Sequence, residues 1–210
     1  LASLLQKITF LFVAIYIKLF VKLEVFGREN LNGLKPPLIV VANHKSYFDH
    51  WLLGYALMGG PGSPFIPLRF FTSDYFFNVW WTGWGVFLKA TGAFRTHRGE
   101  GLEVSLKEPM DILKKGGTVI FYPEGGIVKN PDIGKPKRGI GALGFWSKER
   151  ILPVSIKGSN DKNSGVKITF GQPFYIKDIT KEPELRGDGN DYRDAANAVM
   201  DKVKGLFNSN

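Results

Sequence analysis

The chain has 210 residues, 44% of them hydrophobic and 22% charged, which is the size and composition of one globular domain rather than of a disordered segment. Its 28 Lys and Arg exceed its 19 Asp and Glu, giving a formal net charge of +9 that suits a polyanionic partner: nucleic acid, an anionic membrane surface or a phosphorylated ligand. Cysteine is absent, which excludes disulfides, thiolate metal sites, iron–sulfur clusters and a cysteine nucleophile, and His44, His50 and His97 are the whole supply of imidazole.

The chain opens on Leu1, so a natural start further upstream is expected, with any targeting signal lying there. Residues 3–26 contain no Gly or Pro and carry only Lys7, Lys18, Lys22 and Glu24 as charges. On a helix the three lysines fall within about 60° of one another, and most of the remaining circumference is apolar. A helix packed only on a core normally keeps a wide polar face, and a spanning helix would hold Lys18 in hydrocarbon at a cost of about 2.5–3.5 kcal/mol. The pattern is better suited to a helix lying in a membrane interface with its lysines among anionic headgroups. Residues 1–26 are therefore expected to form an N-terminal membrane-associated helix, and residues 27–210 a single α/β domain.

From Gly27 onward, short apolar runs alternate with helix-like stretches. Residues 38–42 (LIVVA) follow two prolines and read as a strand buried on both faces; residues 118–122 (TVIFY), after two glycines, read the same way. Residues 151–156 (ILPVSI) form a third run whose pairing Pro153 leaves incomplete, and residues 166–170 (VKITF) alternate as a strand nearer a sheet edge does. Helices are expected near residues 50–58, 74–82, 101–115, 140–149 and 191–207. This alternation predicts an α/β fold with a mixed, largely parallel sheet covered by helices.

Two familiar signatures fail. No serine sits in G-x-S-x-G, and the G-x-G-x-x-G at residues 139–144 follows the loop Lys135-Pro136-Lys137-Arg138 instead of a strand, so it reads as close packing at a helix start. Asn43-His44-Lys45-Ser46-Tyr47-Phe48-Asp49 is more informative, because it directly follows a buried strand, where α/β sheets place ligands. His44 and Asp49 would lie about 140° apart on a regular helix, so they meet only if a strand-to-helix turn separates them. Ser46 and Asp49 alone could be a capping box, with Ser46 as N-cap. Tyr122-Pro123-Glu124-Gly125-Gly126 follows the second buried strand, either as a plain turn or as a carboxylate held in a cleft. Residues 92–98 (GAFRTHR) place two arginines around a turn, as solvated charge or as phosphate ligands.

Taken in order, these segments resemble the glycerolipid acyltransferases of the 1-acylglycerol-3-phosphate type. That family carries N-H-x-x-x-x-D, a G-x-x-x-x-x-R segment, F-P-E-G-T-R and an I-x-P-V-type strand. Asn43, His44 and Asp49 match the first, Gly92 and Arg98 the second, Pro123-Glu124-Gly125 the third and Pro153-Val154 the fourth. The resemblance spans residues 27–160 and implies transfer of a fatty acyl group from acyl-CoA or acyl carrier protein to a lysophospholipid hydroxyl, with phosphatidic acid as the product. It implies His44 as general base and Asp49 as its partner, and no metal and no cofactor beyond the thioester co-substrate. Asn43, Glu124, Gly125, Gly126, Arg98 and Lys137 become expected substrate-binding residues, Glu124 either holding the acceptor or ordering the site and the turn at Gly125-Gly126 supplying oxyanion donors. Gly126-Ile127 stands where the family has Thr-Arg, so the acceptor's phosphate needs another cation. The expected partners are an anionic membrane surface, probed from the cytoplasmic face, the lysophospholipid and the acyl thioester, and no nucleic acid. Two alternatives are a related O-acyltransferase with another acceptor (glycerol 3-phosphate, an aminolipid, or a phospholipid in transacylation) and a noncatalytic lipid-binding protein.

Overall fold

The computed structural model describes residues 2–59, 63–72, 89, 91–95, 99–161, 164–183 and 192–209. In chain order the strands are β1 (Leu23–Phe26), β2 (Leu38–Ala42), β3 (Leu68–Thr72), β4 (Ala93–Arg95), β5 (Thr118–Phe121), β6 (Arg150–Lys157) and β7 (Val166–Phe170). The helices are α1 (Ala2–Phe20), α2 (Asp49–Met58), α3 (Leu102–Lys114), α4 (Gly139–Ser147) and α5 (Arg193–Asn208). The strands form one sheet in the order β1-β7-β6-β2-β5-β3-β4. Every pairing is parallel except β6 with β7, so the sheet is mixed and largely parallel, as the alternation predicted.

β2 occupies the centre because all five of its side chains are apolar and can be buried on both faces. Leu38, Val40 and Ala42 enter the layer shared with α1 and α2, while Ile39 and Val41 enter the layer shared with α3, α4 and α5. Pro153 acts as expected. The β6–β7 ladder begins one residue later, at Val154, and Pro153 offers only its carbonyl, which accepts from the Gly171 N–H at 2.8 Å. The glycines of residues 139–144 open α4, and a Cβ on Gly141 would lie 2.3 Å from the Tyr192 carbonyl, so they serve helix packing. The expected helix at residues 74–82 lies outside the described residues.

The N-terminal segment departs from expectation in two ways. The helix ends at Phe20, and Leu23–Phe26 forms edge strand β1, parallel to β7, so Lys22 is not part of a helical lysine stripe. The helix is also joined to the domain. Phe10 and Ile17 are buried in the first core layer with Val13 packed on it, and Gln6, 1% exposed, stitches α1 to the sheet. The Gln6 amide donates to the carbonyls of Leu68 and Thr91 at 2.8 and 2.7 Å and accepts from the Leu68 N–H at 2.9 Å. These residues recur at helical spacing on one stripe, and the opposite side of α1 leaves Leu4, Ile8, Leu11, Phe12, Ile15 and Leu19 exposed. No helix among the described residues is long and apolar enough to cross a membrane.

Gln6→Leu keeps the volume of this contact and removes all its hydrogen bonds, so it should lower stability by about 2–4 kcal/mol in urea unfolding followed by tryptophan fluorescence. A loss below about 0.5 kcal/mol, the level of an ordinary surface change, would contradict the clamp.

Candidate active site

β2 runs out at Ala42, and seven residues later α2 begins at Asp49, so the strand-to-helix turn lies between the two candidate residues as their pairing requires. Within that turn His44 Nδ1 meets Asp49 Oδ2 at 2.9 Å. The same oxygen accepts the backbone N–H groups of Lys45 and Ser46 at 2.6 and 2.8 Å, and Oδ1 accepts the Ser159 hydroxyl at 2.5 Å. Asp49 has no solvent exposure, and His44 keeps 16% of its side chain exposed. A carboxylate only accepts, so Nδ1 carries the proton in the neutral ring and Nε2 is left with the lone pair. The Tyr122 ring lies under the imidazole at 4.2 Å and 17°, which fixes the ring plane. The capping-box reading is corrected here. Phe48 is the N-cap and its side chain makes no cap bond, while Asp49 turns back to the amides upstream of the helix instead of capping it.

Glu124 works on the backbone of the same turn. Its Oε2 accepts the His44 N–H at 2.6 Å and its Oε1 accepts the Gly134 N–H at 2.7 Å. Both oxygens are thus used in ordering the site, one of the two roles expected of it. Asn43, expected as a substrate contact, is corrected: it is wholly buried, donating to the Ile156 carbonyl at 2.7 Å and accepting from the Ile156 N–H at 2.8 Å, so it ties β2 to β6. Gly125 takes a positive φ of 72° and spends its N–H on the Tyr122 carbonyl at 3.0 Å, which removes it as an oxyanion donor. Gly126 is different, for a Cβ there would meet nothing within 4 Å. Lys137 is exposed and lies across Gly125, where a Cβ would come within 2.8–3.0 Å of its Cε, Cδ and Nζ. Arg98 lies outside the described residues.

Lys45 carries no motif signal, yet it holds the segment that follows Glu124. Its ammonium donates to the carbonyls of Asn130, Pro131 and Asp132 at 2.6, 3.2 and 2.5 Å. With the Val128 N–H on the His44 carbonyl at 2.9 Å and the Lys137 N–H on the Pro123 carbonyl at 2.7 Å, residues 128–137 form a strap clipped over the turn. Among the described residues no group of three or more His, Asp or Glu is placed to hold a metal ion.

Burial governs the titration of the groups around the pair. It pushes the Glu124 carboxyl up, against the Gly134 and His44 N–H groups and the Lys45 charge, which pull it down. It lowers the Lys45 ammonium, opposed by Glu124, Asp132 and Asp49. Tyr122 is raised well above its ordinary value, by burial first and by the Asp49 charge second; its hydroxyl is buried with no hydrogen-bond partner among the described residues. His50, stacked on Phe70 at 4.5 Å, is lowered from 6.5 to about 3, by burial and then by His44.

The arrangement therefore offers an imidazole whose second nitrogen is free of the buried carboxylate that orients it. The family model described as Acyltransferase matches residues 22–157. The chain belongs to the acyltransferase family. Over 149 residues it is 28% identical to a chloroplastic 1-acyl-sn-glycerol-3-phosphate acyltransferase of Arabidopsis thaliana, covering 71% of this chain and 40% of that protein. A Bacillus subtilis 1-acyl-sn-glycerol-3-phosphate acyltransferase is 24% identical over 165 residues, covering 76% of this chain and 77% of that one. The chain thus spans less than half the length of its chloroplastic relatives, 40% and 48% for those of Arabidopsis thaliana and Brassica napus. The crystal structure of the 1-acyl-sn-glycerophosphate acyltransferase of Thermotoga maritima shares the fold, with a TM-score of 0.69 at 20% identity, over 97% of this chain and 80% of that one.

Sequence reasoning on this chain missed Lys45, Ser159 and Gln6, because their partners come from distant segments. It also left His50 without a role. Its ring is held neutral in the fold, whereas the unfolded chain takes up a proton once the pH drops below 6.5. The stability tied to this group is therefore complete above 6.5 and drains as the pH falls toward 3. His50→Phe keeps the stack on Phe70 and should flatten the fall in unfolding midpoint between neutral and mildly acidic pH. Parallel midpoint curves for the two proteins would contradict this assignment.

Proposed function

We propose that this protein moves a fatty acyl group from an acyl thioester to the free hydroxyl of a lysophospholipid, with 1-acylglycerol 3-phosphate as acceptor and phosphatidic acid as product. The observation that carries this reading is the His44–Asp49 pair at the end of the central strand in a chain of the acyltransferase family. The names of its relatives in Arabidopsis thaliana and Bacillus subtilis support the acceptor. In this scheme Nε2 of His44 removes the hydroxyl proton as the oxygen attacks the thioester carbonyl. The tetrahedral oxyanion then collapses, the C–S bond breaks, and the departing thiolate recovers the proton from the imidazolium. Asp49 stays ionised throughout and balances the imidazolium charge.

Two sequence features set the substrate contacts in this reading. With the Gly125 N–H engaged, the oxyanion is assigned to the N–H of Gly126, beside whose Cα a Cβ would meet nothing within 4 Å among the described residues. The acceptor's phosphate is assigned to Lys137, whose ammonium lies beside the turn that bears Ile127 in place of the family's arginine, with Arg98 as a second cation. The donor is acyl-CoA or acyl carrier protein, both acidic against a chain of +9. His44→Ala should lower acyl transfer by about 10²–10⁴-fold without changing the unfolding midpoint, in an assay offering several lysophospholipid acceptors and both donors. Full turnover by folded His44→Ala protein would overturn the mechanism. A preference for glycerol 3-phosphate or an aminolipid over 1-acylglycerol 3-phosphate would overturn the acceptor.

The exposed face of α1 supports a membrane-associated site, and the cytoplasmic face is proposed with it from the sequence reading alone. Phe12 and Leu19 are 67% and 69% exposed on the side opposite the docked stripe, and Lys7 and Lys18 flank it. A face this apolar finds its partner in a lipid interface, where each buried Leu or Phe adds about 1.5–3 kcal/mol. Because α1 is stitched into the core, the test is substitution and not deletion. Replacing Leu11, Phe12 and Leu19 together with Gln should weaken flotation with anionic vesicles by more than about tenfold at an unchanged unfolding midpoint. High salt should release the unaltered protein only in part. Equal vesicle binding by the triple variant would contradict the assignment.

A further inference from the structure

We propose that Ser159 is a positioning residue for the His44–Asp49 pair, holding Asp49 from the β6–β7 connection. The inference rests on the acyl-transfer reading above for its kinetic consequence, and on geometry alone for the contact.

The Asp49 carboxylate is divided between two sets of donors. Oδ2 takes the imidazole and two backbone N–H groups, all from residues within five positions in the chain. Oδ1 takes the Ser159 hydroxyl at 2.5 Å, from 110 residues further along. A hydroxyl facing a carboxylate can only donate, and a charge-assisted bond of this length is among the stronger ones available to a neutral donor. Without it, Oδ1 of a wholly buried carboxylate would lose this donor, and the group could rotate about its last torsion and carry Oδ2 away from the imidazole.

The chain is built to deliver this hydroxyl. Asn43 fixes Ile156 to the end of β2 through two hydrogen bonds, one residue before His44 and three before Ser159. Gly158 then turns with a φ of +83°, where a Cβ would stand 2.3 Å from the Gly165 carbonyl, and the Asp161 N–H closes the turn on the Gly158 carbonyl at 3.2 Å. Asn43 and Gly158 thereby acquire a purpose that the sequence did not disclose: they set where Ser159 meets Asp49. The other charged or titratable groups near the pair, namely Lys45, His50, Tyr122 and Glu124, come from the turn, from α2 and from the segment after β5. Ser159 is the group that reaches Asp49 from β6.

The test uses the full chain in detergent and compares Ser159→Ala, Ser159→Thr and Ser159→Val. The last two have the same shape and differ in the hydroxyl, so they carry the comparison even if the alanine variant fails to fold. Ser159→Ala and Ser159→Val should lower kcat about tenfold while the KM for each substrate stays within about twofold, and Ser159→Thr should restore most of the loss. With Oδ2 drawn away from the ring, the imidazolium loses part of its stabilisation, so the acid limb of the pH–rate profile and the His44 ring-proton NMR titration should both move to lower pH. Wild-type kcat and an unmoved His44 titration in Ser159→Val would overturn the proposal, as would a threonine variant no better than valine. If the unaltered chain transfers no acyl group to any acceptor, the acyl-transfer reading fails, while the NMR titration still decides the Ser159 contact.

Discussion

The site depends on one buried carboxylate. Asp49 has no exposure to solvent, and a charge in that position is tolerated only because an imidazole, two backbone N–H groups and a serine hydroxyl surround it. Those donors come from two separate parts of the chain, the turn after β2 and the turn after β6, which become neighbours because β2 and β6 pair in parallel at the centre of the sheet. The fold requirement and the chemical requirement therefore coincide. If β6 shifted by one residue against β2, Ile156 would leave Asn43 and Ser159 would leave Asp49.

A second set of contacts keeps the open side of the turn in order. Glu124 joins the His44 backbone to Gly134, and Lys45 gathers three successive carbonyls of the strap. Burial raises the proton affinity of Glu124 and lowers that of Lys45, so it presses each toward its neutral form, and their mutual attraction together with the backbone donors on Glu124 opposes that pressure. These two side chains do their work on main-chain atoms, and so leave the imidazole's second nitrogen to whatever occupies the cleft. Lys137, which ends the strap, is carried by the same arrangement to a place over Gly125. In this chain the position of a cation near the family's missing arginine is thus a product of the strap and not of the Pro-Glu-Gly turn itself.

Much of this was legible in the sequence, and the exceptions share a cause. The runs LIVVA and VKITF became β2 and β7 with the expected bounds, since continuous or alternating apolar residues leave few other options. His44 and Asp49 could be paired because both sit in one short turn after a buried strand. β1 was lost within a longer apolar run, where nothing short of the pairing with β7 separates Leu23–Phe26 from the helix before it. Asn43, Glu124 and Ser159 had their partners 113, 80 and 110 residues away, beyond any local spacing rule, so two were taken for substrate ligands and one was passed over. Gln6 did leave a trace, a lone amide on the stripe of Phe10 and Ile17, and Gly158-Ser159 left another at the end of a predicted strand.

The central claim is that Asp49 fixes His44 in the tautomer that leaves Nε2 unprotonated. Nitrogen-15 NMR of histidine-labelled protein tests it most directly, because a chain with three histidines gives a spectrum that single substitutions at His50 and His97 can assign. At a pH where the ring is neutral, the account predicts a protonated Nδ1 and an unprotonated Nε2 for His44, with mixed tautomers once Asp49 is replaced by Ala. A proton on Nε2 in the unaltered protein, or the same tautomer with and without the Asp49 carboxylate, would contradict it.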